Sequence, residues 1–117
     1  MDGGSQLAHR AALLRRVADT LLDADGELDP GLRAAAFAHA VAATGRPAPP
    51  AQPLPEPLAT FVDKVTRNAY KVVDADVEVL RRAGFSDDAI LEAVLATAVG
   101  AGVSRFEIGL DAIAGRR

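Results

Sequence analysis

Residues 86–103 read SDDAILEAVLATAVGAGV, and this stretch decides the fold. Ser86 offers a side-chain oxygen to a free helical N–H, and Asp87 and Asp88 follow where a first helical turn favours negative charge. Beyond them Ile90, Leu91, Val94, Leu95, Ala98 and Val99 recur at helical spacing and cover much of the circumference. A helix apolar on most sides belongs at the centre of a bundle. Downstream, two readings stand side by side. Either Ser104-Arg105-Phe106-Glu107 forms a capping box for a separate last helix carrying Phe106, Leu110 and Ile113, or the same helix continues with a kink near Gly100 and Gly102. The apolar run Ala93 to Val103 is about half the length of a membrane span.

Upstream, Leu58, Phe61, Val62, Val65, Ala69 and Val72 share one face and predict a helix from Leu58 to about Val72. Asp74 is placed to cap a short helix through Val77 and Leu80 that closes at Gly84. Residues 46–57 read RPAPPAQPLPEP and hold six of the chain's seven prolines. No helix or central strand survives that density, so an extended connector is expected, either an ordered strap or a disordered linker. Before it, Leu7, Ala11, Leu14, Ala18 and Leu21 predict a helix from Gln6 to about Asp23. Asp29-Pro30 starts another that stops at Gly45. Residues 1–5 read as a flexible leader. The expected organisation is one helical domain over residues 1–117, with an N-terminal hairpin (1–45), the connector (46–57) and a helical core (58–114).

Composition agrees. Of 117 residues, 50% are hydrophobic and only 4% aromatic, with no Trp and one Tyr. Alanine makes up about a fifth, and alanine favours helix where sheets want aromatic and β-branched residues. An all-α bundle of five or six helices follows, with a radius of gyration of roughly 13 Å if compact. The absence of cysteine excludes disulfides, thiolate catalysis and Cys-ligated metal. A net charge of −3 argues against a general nucleic-acid binder. The first residues lack the cationic and apolar regions of a secretory signal, so a cytoplasmic protein with no membrane partner is expected.

Few motifs carry chemistry. Asp23-Ala24-Asp25-Gly26-Glu27-Leu28-Asp29 suggests a calcium loop, but placing Gly26 sixth puts Leu21 first and Leu32 twelfth, and neither ligates calcium. No metal or cofactor is expected. His9 and His39 lie on different helices without metal-ligand spacing, and either reads as a surface histidine before it reads as a general base. Asp63, Arg67 and Lys71 stack four apart. They read first as a solvated stripe in which Asp63 pairs with Arg67, and second as charges lining a cleft.

The segment from Asn68-Ala69-Tyr70-Lys71-Val72-Val73-Asp74-Ala75-Asp76 through Leu80-Arg81-Arg82-Ala83-Gly84-Phe85-Ser86-Asp87-Asp88-Ala89-Ile90 and the Ala-rich helix beyond resembles the carboxymuconolactone decarboxylase and alkylhydroperoxidase-D-like family. The resemblance spans about 40% of the chain and implies that family's helical bundle. Its redox members carry Cys-x-x-Cys-x-x-x-His. Aligned on Ala83-Gly84, the thiol positions fall on Ala69 and Val72 and the His on Asp76, so thiol peroxidase activity is not expected. The family's acidic position falls on Pro57, beside Glu56. Two functions stay open. One is a non-redox oligomeric scaffold or binding protein, taking a small molecule or a protein partner. The other is a non-thiol enzyme using Asp76, Tyr70 and Lys71 for acid–base work on a small carboxylated or carbonyl substrate. Self-association, as a homodimer or symmetric ring, is expected from Ala96, Gly100, Ala98 and Gly102, two small-x-x-x-small pairs on the most apolar helix.

Overall fold

Local capping signals set most helix boundaries, as a computed structural model describing residues 3–115 shows. There are five α-helices and no strand among those residues: α1 (Gly3–Asp23), α2 (Pro30–Ala43), α3 (Leu58–Asn68), α4 (Asp74–Arg82) and α5 (Asp87–Ile113). Asp29 caps α2 by accepting the Leu32 N–H, with Pro30 in the first turn. Ser86 accepts the Ala89 N–H at 3.1 Å and caps α5. Gly45 and Gly84 end α2 and α4 with φ of +89° and +101°, where a Cβ would be strained. Met1 and Asp2 of the expected leader lie outside the described residues, while Gly3 onward is already helical.

α5 is the axis of the molecule. It runs 27 residues without interruption, so the separate capped helix after Ser104 does not form. Ser104 is buried instead, its hydroxyl hydrogen-bonded to that of Thr44 at the end of α2. α2 lies parallel to α5, with Phe37 against Gly100, whereas α1 runs antiparallel, with Arg15 reaching Glu107 at 2.8 Å. Leu28, Ala36, Leu58, Phe61, Val62, Leu80, Ile90 and Ala93 make the main core. Ala18, Phe37, Val41 and Val103 make a second cluster under α1. By length and composition α5 is apolar enough to cross a membrane, but half of its most apolar window is buried in this fold.

Residues 47–55 of the connector form a strap without helix or strand, and Leu54 packs against the main core. Its last peptide, Glu56-Pro57, is cis.

Other expectations are corrected. α3 stops at Asn68 and gives way to a 3-10 turn over Ala69–Lys71 and extended backbone at Val72. Asn, Tyr and a Val pair are poor helix formers, and here they break the helix before Asp74. Asp74 does not cap α4; the Asp76 carboxylate accepts the Val73 N–H at 2.8 Å. The radius of gyration is 15.3 Å and the extents are 54 × 28 × 23 Å, longer than a compact chain. The length of α5 and its antiparallel partner α1 explains this.

The small residues of α5 do not form one stripe. Ala96 and Gly100 are buried, and a Cβ at Gly100 would lie 2.5 Å from the Phe37 carbonyl oxygen. Ala98 and Gly102 point the opposite way and are exposed, with nothing within 4 Å of a Cβ at Gly102. Positions two apart on a helix differ by about 200° and so face different surroundings. Leu91 and Leu95, expected inside, are 55% and 42% exposed on that outer side.

Candidate functional site

Among the described residues, two concave surfaces that carry titratable groups stand out. The first lies between α3 and α4, a cleft of about 200 Å³ lined by Pro57, Thr60, Phe61, Lys64, Asp76 and Val79, among others. Asp76 comes into it because α4 begins at Asp74 and its third residue faces back toward α3. One carboxylate oxygen, Oδ2, accepts from Lys64 Nζ at 2.8 Å and from the Val73 N–H at 2.8 Å. Lys64 and then the backbone N–H hold the Asp76 carboxyl below the usual range for aspartate. The expected companions do not join it. Tyr70 is 82% exposed on the 3-10 turn, with Lys71 Nζ 5.7 Å from its ring centre, and neither lines the cleft. What faces Asp76 is Lys64, a residue that spacing alone did not single out. With its acid paired and capping a helix, the cleft presents a fixed ion pair beside an apolar wall.

The second is an open groove of about 380 Å³ between α2, the strap and α3, with His39, Gln52, Pro53, Leu54 and Ala59 in its lining. His39 Nε2 lies 2.8 Å from Asp63 Oδ1, and Arg67 Nε donates to the same oxygen at 2.8 Å. The expected Asp63–Arg67 pair is therefore present, with a histidine added from the neighbouring helix. His39 and then Arg67 hold the Asp63 carboxyl below its ordinary value. A carboxylate on one ring nitrogen fixes the orientation of an imidazole, the arrangement a general base needs. No hydroxyl, thiol or amine is among the groove's described lining, so none stands beside His39 there for it to activate.

Between α1 and α2 the acidic turn is held from outside. Glu92 on α5 accepts the N–H groups of Glu27 and Leu28, each at 2.9 Å. Burial disfavours its charge, but these two N–H groups and the nearby Arg33 prevail and leave the carboxyl below the usual range. A Cβ at Gly26 would collide with that carboxylate. Arg33, 2% exposed, donates to the Leu21 carbonyl at 2.9 Å, in the last turn of α1 where a cation suits the helix dipole. Its Nε and Nη2 are buried without a hydrogen-bond partner. No group of three or more His, Asp or Glu side chains among the described residues is arranged to hold a metal ion.

The His39–Asp63 and Glu92–turn contacts join residues 24 and about 65 positions apart, and no local spacing signals them. No family model matches the chain, and no curated protein or solved structure matches it.

Proposed function

We propose that this chain is a non-redox helical scaffold or binding protein of the carboxymuconolactone decarboxylase and alkylhydroperoxidase-D-like type, working as a homo-oligomer. One observation carries the reading: the helix at the centre of the core leaves an apolar outer side uncovered, with Leu91 and Leu95 about half exposed. An exposed apolar strip on a core helix is the mark of a contact surface. The positions that the resemblance assigns to thiols hold Ala69 and Val72, side chains without redox chemistry. Light scattering or sedimentation at micromolar concentration tests the reading. A mass that is a multiple of 12.1 kDa is expected, and a monomer across the range overturns it.

The Asp76–Lys64 cleft favours a second reading, a non-thiol enzyme or small-molecule binder acting on a carboxylated or carbonyl compound. Lys64 supplies the charge that such a compound would seek, once displaced from Asp76. Asp76→Asn separates this from a purely structural role. Altered binding of a small carboxylate such as benzoate, with little loss of melting temperature, supports the enzyme reading. A fall in melting temperature with no binding by either protein assigns Asp76 to the helix terminus alone.

A further inference from the structure

The uncovered side of α5 has a definite pattern. Asp88, Leu91, Leu95, Ala98, Gly102 and Arg105 follow one another at spacings of three and four, and every one of them is exposed. That spacing is the seam of a two-helix coiled contact. The seam begins with an acid and ends with a base. Neither Asp88 nor Arg105 has an ion-pair partner among the described residues. Its two large side chains occupy one half and its two small residues the other. A parallel copy would set like charge on like charge and leucine beside leucine, leaving a gap at Gly102. An antiparallel copy reverses the order and makes the two halves complementary.

We propose that a second copy of this chain covers this face antiparallel about a two-fold axis, with Asp88 opposite the partner's Arg105, Leu91 over its Gly102 and Leu95 against its Ala98. The symmetry makes each contact occur twice, as an isologous interface requires. Sliding either helix by one heptad loses the match. In one direction Arg105 meets Leu95 and small residues face small ones; in the other Asp88 faces Ala98 and the leucines meet each other. The register above satisfies both charge and volume. The half-buried Val94 and Val99 flank the seam and widen the apolar area that the partner removes from water. This inference rests on the assembly proposed above and adds its surface, direction and register.

The chain contains no cysteine, so introduced thiols report contacts without background. Asp88→Cys and Arg105→Cys chains, mixed and mildly oxidised, should give a covalent mixed dimer in high yield. Asp88→Cys alone should give little, because the two copies of residue 88 would lie about 26 Å apart along the axis, far beyond the ~7 Å between Cα atoms that a disulfide spans. Efficient self-crosslinking of Asp88→Cys overturns the antiparallel direction. A second measurement uses Gly102→Leu, whose new side chain meets open space within one chain. Helicity by circular dichroism should be retained while self-association weakens at least about tenfold, since the pocket for Leu91 is filled. An oligomer unaffected by Gly102→Leu and without the mixed crosslink overturns this interface but leaves assembly standing. A wild-type chain that stays monomeric overturns both.

Discussion

Gly100 and Gly102 are two residues apart and have opposite duties. At Gly100 the backbone of α2 approaches so closely that any side chain displaces it. Gly100→Ala is expected to cost about 1–3 kcal/mol, the usual range for overpacking, read as a lower midpoint in urea. Gly109, on the exposed side of the same helix with open space where a Cβ would go, makes the control. Gly109→Ala should stabilise by about 0.5–1 kcal/mol, because alanine loses less backbone freedom on entering a helix. The sequence shows both glycines in one apolar run, and nothing in their spacing separates them. What separates them is which side of α5 faces α2, and only the packed structure fixes that. The same reason explains why Leu91 and Leu95 read as core and stand outside. By contrast Asp29, Gly45, Gly84 and Ser86 act on their own neighbours, and their roles were legible residue by residue.

Between elements, the joints are carboxylates. Glu92 ties α5 to the α1–α2 turn, Asp63 ties α3 to α2 through His39, and Asp76 ties α4 to α3 through Lys64. Glu92→Ala leaves the N–H of the buried Leu28 without an acceptor and should cost about 1–3 kcal/mol in urea denaturation. All three carboxyls sit below their ordinary values in the folded chain. The unfolded chain therefore binds protons first as the pH drops. The stability these groups contribute is complete above about pH 4.5, near the unfolded values, and is lost as the pH falls through the lower folded values. Thermal melts from pH 7 to 3 should show a midpoint falling below pH 4.5, and Glu92→Gln should start lower and fall less steeply. Helix existence and order were readable from periodicity, because an amphipathic face repeats within one segment. The joints were not, because Glu92 meets residues some 65 positions away and His39 meets one 24 away. The early end of α3 was misread for another reason: apolar spacing continues through Val72 while local propensity does not.

The whole molecule is elongated, and its first, second and last helices are packed together, α1 and α2 both lying along α5. Arg15–Glu107 and Arg46–Asp111, each 2.8 Å, reach from α1 and from the start of the connector to the last turns of α5. Hydroperoxide turnover with a dithiol reductant should equal the rate without protein, since no thiol exists to carry it. The all-helical class was readable at this scale from alanine content and the dearth of aromatics. The shape was not, since composition does not say that the two longest helices lie side by side. Their pairing has a consequence for synthesis. Translation delivers α1 and α2 well before the helix they pack against. At about 5–20 residues per second, the interval between residue 45 and the end of α5 lasts roughly 3–14 s, during which Ala18, Phe37 and Val41 have no Val103 to meet. Residues 1–45 expressed alone should accordingly show little helix by circular dichroism. In a stalled-ribosome series, resistance to protease should arise abruptly once residues near 110 have left the exit tunnel, and not in two stages.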